Sequence, residues 1–201
     1  MGVRLVLLSL VLVLPWGPIA QVEVLVQPSF DAQKFSGLWY VVAMASDCKA
    51  FPGEKDHLLM STRIVNATEG GNLSVQVQVP RADSCSQVDA QYLKVGSDGH
   101  FRVPALGYMD VRIASTDYDS FAILYISKEL GGAPCTAVQL YSRTRDPSPQ
   151  ALKAFQDFYP TVGLLGHAMA ELPRPDVCAP QGTEPPDSSE APPLSPGGAQ
   201  G

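Results

Sequence analysis

The feature that most constrains the fold is a succession of eight short segments with strand character, nearly all joined by hairpin-like loops and followed by one helix. The clearest segment, Leu73 to Val79, alternates apolar and polar residues throughout, which is typical of a strand with one buried face and one solvated face. Eight such strands favour an all-β fold, an eight-stranded up-and-down antiparallel β-barrel with one C-terminal α-helix packed outside, over a Greek-key sandwich. The predicted strands are 37–45, 57–66, 73–79, 86–95, 101–103, 109–113, 121–126 and 136–143, and the predicted helix is 149–159.

The first strand carries a tryptophan close to its start. It opens at Gly37 and is almost wholly apolar to Met44, which is too short for a membrane span and indicates a strand buried on at least one face. The indole of Trp39 combines a large apolar body with an N–H that needs a partner, so we expect it to plug one end of the barrel. Residues 46–56 lack alternation and are predicted to form a long loop.

The chain begins with the pattern of an exported protein. Arg4 precedes a ten-residue apolar core at 5–14, which has the length of a signal peptide rather than of a transmembrane helix. We therefore expect a signal peptide over 1–20, a folded domain over 21–179 and a disordered Pro/Gly/Ser-rich tail over 180–201. The mature protein would be secreted and would have no stable membrane anchor.

Composition excludes several kinds of partner. Removal of Arg4 with the signal would leave 13 basic against 20 acidic residues, a net charge of −7, without a clustered Lys/Arg face. Nucleic acids and anionic membranes are therefore poor partners, and we expect a monomer. Two sequons, at Asn66 and Asn72, predict glycosylation on exposed turns and agree with secretion.

The histidines predict neither a metal site nor a catalytic site. His57, His100 and His167 lie at unrelated places in the sequence, with no spacing that suggests a triad or a set of metal ligands. We expect no metal, no cofactor and no catalytic residue.

Three short motifs resemble the signature blocks of the kernel lipocalins. They are Gly37-Leu38-Trp39, Thr116-Asp117-Tyr118 and the Arg143 of Leu140-Tyr141-Ser142-Arg143-Thr144, and they occur in the order found in that family. The resemblance covers about 28–178. It implies that the blocks meet at the closed end of the barrel, with Arg143 lying across the ring of Trp39. The resemblance therefore assigns a structural role, rather than ligand binding, to Gly37, Trp39, Thr116, Asp117, Tyr118 and Arg143.

Four cysteines in an exported chain suggest two disulfides, with three connectivities. The lipocalin pattern implies that Cys85 pairs with Cys178. In a closed eight-stranded barrel the end of the first strand lies beside the beginning of the last, which would place Cys48 and Cys135 at the same rim. Those two cysteines either form a bridge that pins the loop at 46–56 or remain free thiols too far apart for bridging geometry.

The lipocalin resemblance also predicts which side chains face the ligand. The alternation of the third strand supplies one apolar wall, and the family pattern extends that wall to other strands. In the last two strands apolar residues occupy both odd and even positions, so the inward face there rests on the resemblance alone. The expected lining suits a fatty acid, a retinoid-like or an odorant-sized molecule, with Lys128 or Tyr141 near the rim for an acidic or hydroxyl head group. The predicted ligand-binding residues are Val41, Ser61, Val75, Val77, Val79, Val88, Ala90, Tyr92, Val103, Met109, Val111, Leu124, Ile126, Lys128, Gln139 and Tyr141.

Three functions remain open from the sequence. The favoured one is a secreted carrier of a small hydrophobic ligand, although a small eight-stranded barrel can also fill itself with its own side chains. The second is a prostaglandin-isomerase-like enzyme, because one lipocalin enzyme has a cavity-facing cysteine nucleophile at the position of Ser61. A serine hydroxyl is a far weaker nucleophile without an activating base, which disfavours that function. The third is a module that binds a protein, such as a cell-surface receptor, through loops at the open rim.

Overall fold

The computed structural model of the protein describes residues 24, 26–48, 58–81, 84–107, 109–130, 133–175 and 178. The predicted signal peptide at 1–20, most of the predicted loop at 46–56 and the tail at 180–201 lie outside these residues. The strands are β1 Gly37–Ser46, β2 Ser61–Ala67, β3 Leu73–Pro80, β4 Cys85–Lys94, β5 His100–Val103, β6 Met109–Thr116, β7 Phe121–Leu130, β8 Ala133–Ser142 and β9 Met169–Glu171, and the helices are α1 Ala32–Phe35 and α2 Pro149–Phe158.

The sheet closes on itself through β1. Each strand from β2 to β8 pairs antiparallel with its neighbour in the sequence, and β1 pairs with both ends of that series. Its first half lies beside β2, with Gly37 opposite Val65, and its second half lies beside β8, with Ser46 opposite Ala137. The predicted eight-stranded up-and-down barrel is therefore confirmed. A closed sheet leaves no long unpaired edge between its first and last strands.

Several element bounds differ from the sequence prediction. β2 begins at Ser61 rather than at 57, because the Met60 N–H donates to the Pro173 carbonyl (2.8 Å) instead of to the sheet. β7 and β8 pair as far as Leu130 and Ala133, beyond the apolar run, since backbone pairing at a rim does not need buried side chains. β6 likewise continues to Thr116, and α2 ends at Phe158. The ends of four other strands shift or extend by one to three residues, in β3, β4, β5 and β8.

Two short elements have no counterpart among the predictions. β9 has three residues and pairs with Ala43–Ala45 of β1, outside the eight-stranded barrel. The four-residue α1 directly precedes β1, and the Asp31 carboxylate caps it by accepting from the N–H groups of Gln33 and Lys34. Neither element is long enough to show a hydrophobic period in the sequence.

Helix α2 covers one outer face of the barrel. The Ser148 hydroxyl accepts from the Ala151 N–H (3.1 Å) and Pro149 occupies the first turn, as expected for the start of a helix. The helix packs against β7 and β8 with Ala151 and Phe155 buried. It therefore shields the outward-facing apolar residues of the last two strands.

The two ends of the barrel differ. We call the end where β1 begins the closed end, and the end where β1, β3 and β7 finish the open end. The turn between β2 and β3 lies at the closed end, because Val65 is opposite Gly37. Asn66 is exposed but lies in β2 rather than in the turn, whereas Asn72 is half-buried, with its side chain donating to the Glu69 carbonyl and accepting from the Lys94 N–H. Asn66 therefore lies near the end of the second strand, as the predicted bounds had it, and is exposed, whereas the expected exposure of Asn72 is wrong; glycosylation of either residue stays a prediction.

Candidate ligand site inside the barrel

The closed end is sealed by a stack of Arg143 on Trp39. The guanidinium carbon lies 3.5 Å from the centre of the indole ring, the contact that the lipocalin resemblance implied, and the indole N–H donates to the Phe35 carbonyl (2.8 Å). Trp39 is fully buried. Gly37 has a φ of +107°, and a Cβ there would lie 3.1 Å from Nη1 of Arg143. Glycine at this position therefore permits both the backbone conformation and the close approach of the guanidinium.

Arg143 also binds the backbone around the plug. Its N–H groups donate to four carbonyl oxygens, at 2.9–3.1 Å, which come from two different parts of the chain. Burial lowers the pKa of the guanidinium, and the carboxylates of Asp117 and Asp119 oppose that effect. The carbonyl acceptors belong to Lys34, Ser36, Leu38 and Tyr118.

The turn after β6 presents the carbonyl of Tyr118 to Arg143. Tyr118 has a φ of +67°, a left-handed conformation that is uncommon for a side chain of this size. Its N–H donates to the Thr116 hydroxyl (2.9 Å), and its own hydroxyl accepts from the Asp31 N–H (3.0 Å). Burial would raise the pKa of Asp117, but N–H groups of Phe121 and Ser120 and the Ser120 hydroxyl donate to its carboxylate and hold the pKa below its usual value. The three blocks thus form one closed-end assembly.

The strand register brings most of the predicted ligand-binding residues to one face. Val41 lies opposite both Ser61 and Tyr141, Val75 opposite Ala90, and Val77 opposite Val88. Cross-strand partners share a face of the sheet. The same reasoning places on that inner face Val79, Tyr92, Val103, Met109, Val111, Leu124, Ile126, Lys128 and Gln139. Whether any of these side chains contacts a ligand stays a prediction.

Packing of the inner face changes from one end of the barrel to the other. Inward-facing residues near the plug, such as Phe101, Val103 and Ile113, are fully buried. Towards the open end, Val88 is 41% exposed although it faces inward, and Val79, Met109, Lys128 and Gln139 are only half-buried. The barrel is therefore packed with side chains at its closed end and is reached by solvent from its open end.

One predicted head-group residue lies elsewhere than expected. Tyr141 was expected near the rim, but it is 2% exposed and its ring centre is 6.4 Å from that of Trp39. The prediction is wrong because Tyr141 belongs to the half of β8 that pairs with Val41, near the plug, whereas Lys128 lies opposite Cys135 at the other end. The two side chains cannot hold the same small head group.

An inward-facing cation, Arg63, was missed by the sequence analysis. It lies opposite Trp39 on β1 and Val77 on β3, so it shares the inner face with Ser61 two residues earlier. Its Nη1 donates to the Ser61 hydroxyl (3.0 Å) and to the Thr62 carbonyl (2.8 Å). The signal was present, since the inward position assigned to Ser61 requires Arg63 to face inward as well.

Two buried phenols accompany Arg63. Burial raises the pKa of Tyr92 and of Tyr141 well above the ordinary value, although the positive charge of Arg63 opposes the effect at both groups. The two phenols also influence the pKa of each other, so Tyr92, Tyr141 and Arg63 lie close enough to interact electrostatically. Both phenols therefore remain protonated at neutral pH and can donate hydrogen bonds.

These phenols predict a loss of stability in alkali. An unfolded tyrosine releases its proton near pH 10, whereas Tyr92 and Tyr141 retain theirs in the fold. The unfolded state then binds fewer protons, so the free energy of unfolding should fall by about 1.4 kcal/mol per pH unit for each phenol above pH 10. Urea denaturation at pH 9–11 measures the slope. Tyr92→Phe and Tyr141→Phe should each make it shallower, and unchanged slopes in both variants would contradict the assignment.

Both disulfides form. Cys85 is joined to Cys178 and Cys48 to Cys135, with Cα atoms 5.2 and 4.9 Å apart. Around the second bridge, the Asp47 N–H donates to the Thr136 carbonyl (3.2 Å) and the Asp47 carboxylate accepts from the Thr136 N–H (2.7 Å). The expected rim bridge therefore ties the end of β1 to the beginning of β8 at the open end.

Ser61 is not arranged as an activated nucleophile by the residues around it. Its hydroxyl accepts from Arg63, and an arginine remains protonated and cannot act as a general base. His100 is paired with Asp110 (2.7 Å) on the outer face of the barrel, and His57 lies outside the described residues. In the parts of the chain that the structure describes, no group of three or more His, Cys, Asp or Glu residues could hold a metal ion.

Comparison with known proteins identifies relatives along most of the chain. The family model described as Lipocalin / cytosolic fatty-acid binding protein family matches residues 36–171. Human Lipocalin-15 is 66% identical over 180 residues, which cover 90% of this chain and 98% of that protein. The horse Prostaglandin-H2 D-isomerase is 32% identical over 79% of this chain and 86% of that protein.

A solved structure gives the same architecture. It is a siderocalin described as having a dual ligand binding mode, 28% identical in sequence, and the match covers 73% of this chain and 93% of that chain with a TM-score of 0.64. As for membrane association, no helix among the described residues has the length and hydropathy needed to cross a bilayer.

Proposed function

The chain belongs to the lipocalin family, and on that premise we propose that it is a secreted, extracellular carrier of a small hydrophobic molecule held inside the barrel. The observation that carries this proposal is the change in packing along the inner face. A barrel that filled itself would bury its inward-facing residues at both ends, whereas here Val88 is 41% exposed on an apolar wall. Family membership and the ligand-binding relatives support a small-molecule carrier.

The chemistry of the wall favours an elongated apolar ligand. Val75, Val77 and Ala90 on β3 and β4 face Leu124 and Ile126 on β7 across the interior, and none of these side chains has a polar atom. Burial of such apolar surface by a ligand that displaces water stabilises the complex by about 25 cal/mol per Å². A fatty acid, a retinoid-like or an odorant-sized molecule remains the expected class.

Secretion is part of the same proposal. The apolar N-terminal segment at 1–20 has the pattern of a signal peptide, and the two disulfides are of the kind that persists in oxidising compartments. The 29% identical extracellular fatty acid-binding protein of Coturnix japonica adds support, since its match covers 83% of that protein.

An enzymatic function has one observation in its favour, the similarity to the prostaglandin isomerases. Against it, Ser61 replaces the expected thiol nucleophile and accepts a hydrogen bond from Arg63. An isomerase assay with the purified protein tests this directly. Turnover that disappears in Ser61→Ala would replace the carrier proposal with an enzymatic one.

Filling the barrel should abolish ligand binding. In Val77→Trp a large ring would occupy the space beside Val88, so affinity for a fluorescent fatty acid should fall by more than tenfold while the fold persists. Fluorescence titration measures the affinity, and circular dichroism checks the fold.

The matched control is Gln76→Trp, which places the same ring on the outer face one residue away. It should bind as the unmodified protein does. Equal affinity in Val77→Trp would show that the ligand lies outside the barrel, and no binding across a broad hydrophobic panel would contradict the carrier function.

A further inference from the structure

We propose that the ligand is an organic acid that enters the barrel with its carboxylate first and binds at Arg63, beside Tyr92 and Tyr141, with its apolar body towards the open end. This inference rests on the carrier function proposed above and adds to it the chemical class and the orientation of the ligand. The deep cation on β2, rather than the lysine at the mouth, is the group that recognises the acid.

The charge of the barrel interior favours an anionic ligand. The inward-facing positions of the eight barrel strands, within the residues that the structure describes, include Arg63, Lys94 and Lys128 but no Asp or Glu. Lys94 lies at the end of β4 and is paired with Asp98 (2.8 Å). Arg63 is half-buried among residues that are almost wholly buried. A cation removed from bulk water costs free energy unless an anion or several hydrogen bonds compensate it. A bound carboxylate would supply the missing anion.

The Arg63 guanidinium has N–H donors left for a ligand. Its hydrogen-bond partners are the Ser61 hydroxyl and the Thr62 carbonyl, and the Tyr141 phenol lies near it; all three groups are neutral. A guanidinium has five N–H donors, and the two hydrogen bonds from Nη1 use two of them. The remaining edge, formed by Nε and Nη2, has the fork geometry that binds a carboxylate through two parallel hydrogen bonds.

Two neighbouring phenols can also donate hydrogen bonds to a carboxylate. Tyr92 and Tyr141 flank Arg63 on the inner face and remain protonated, because burial raises the pKa of both. Protonated hydroxyls donate to a carboxylate, whereas a phenolate would repel it. The three groups together offer one positive charge and at least two further donors to a single anion.

The position of Arg63 along the barrel determines the orientation of the bound acid. Arg63 lies opposite Trp39, close to the plug, and is level with Val77, whereas Ser61 on β2 and Val79 on β3 lie nearer the open end. An acid bound at Arg63 therefore directs its chain along this wall towards the mouth. A ligand held at Lys128 would lie the other way round, with its chain against the plug.

The test compares hexadecanoic acid with hexadecanol, which share a chain and differ in the head group. Each displaces the neutral dye Nile red from the purified protein at pH 7.4. The acid should bind about 10- to 100-fold more tightly than the alcohol, the range expected for hydrogen bonds to a charged group. In Arg63→Gln this ratio should approach one through loss of affinity for the acid, with hexadecanol unchanged within about threefold.

Two control variants distinguish the deep cation from the other cations. Arg102→Gln removes an arginine that is half-exposed on the outer face of β5 and should keep the full ratio. Lys128→Gln removes the cation at the mouth and should keep most of it. A ratio that collapses in Lys128→Gln and persists in Arg63→Gln would overturn the proposal and place the head group at the mouth.

A second measurement uses the unmodified protein, so it does not depend on the folding of Arg63→Gln. The carboxyl pKa of bound hexadecanoic acid, labelled with ¹³C at the carboxyl carbon and titrated by NMR, should lie about 1–3 pH units below its value beside a neutral site. An unperturbed or raised pKa would overturn the assignment. If acid and alcohol bind equally, this inference fails and the carrier function stands; if neither displaces the dye or binds directly, the carrier function itself fails.

Discussion

Replacing Arg143 with alanine should lower the free energy of unfolding by about 3–5 kcal/mol, the range for removing a half-buried charge whose partners stay behind. The guanidinium stacks 3.5 Å from the centre of the Trp39 ring and donates to four backbone carbonyls. Truncation leaves those carbonyls without their donor and exposes one face of the indole. Urea denaturation followed by tryptophan fluorescence measures the change.

Arg143→Lys separates charge from geometry. A lysine keeps the positive charge but offers a single ammonium in place of a planar fork, so it cannot stack on Trp39 and reach four carbonyls together. We expect this variant to retain less than half of the lost stability. A loss below about 1 kcal/mol in Arg143→Ala would mean that the plug is held by apolar packing alone.

Removing the bridge between β4 and the C-terminal segment should have an effect of similar size. The Cys85–Cys178 disulfide closes a sequence separation of 93 residues. On the chain-entropy account, a cross-link over that length stabilises the fold by about 4–5 kcal/mol, because it restricts the unfolded chain. Cys85→Ser combined with Cys178→Ser should therefore lower the urea midpoint substantially while the barrel remains folded.

The rim bridge provides the comparison. Cys48–Cys135 spans a separation of 87 residues, so Cys48→Ser with Cys135→Ser should cost a similar amount. The rim variant should also change ligand association rates, since it releases the end of β1 at the open end. A loss below about 1 kcal/mol for either pair would contradict the entropic account for that bridge. Peptide mapping of the unreduced protein checks the two pairings.

The position of Arg63 gives the barrel an interior of opposite charge to its exterior. The sequence carries a net charge of −6, yet the inward-facing positions of the described strands contain three cations, Arg63, Lys94 and Lys128, and no carboxylate. A cation in a partly desolvated lumen interacts more strongly with an anion than an exposed cation would. This arrangement is the physical basis of the proposed preference for acids over neutral lipids.

The sequence by itself determined the architecture and the composition of the plug. Period-two alternation in 73–79, glycine-rich turns and a proline at the start of α2 are local signals, and they specify strands, hairpins and a helix before any distant contact forms. Trp39 and Arg143 stand in motifs that resemble a family, and topology alone was enough to bring Cys48 and Cys135 to one rim. Such features depend on neighbours in the chain or on the order of the strands.

The tertiary structure alone decided which side chains meet and at what depth. In β7 and β8 apolar residues occupy both odd and even positions, so their inward face follows only from pairing with β6 and β1. A register shift between Val41 and Ala43 changes the parity of β1, which brings Met44 opposite Gln139, and a bulge of this kind leaves no sequence signal. The depth of Tyr141 and its meeting with Tyr92 and Arg63 depend on that register, because strands distant in sequence become neighbours only when the barrel closes.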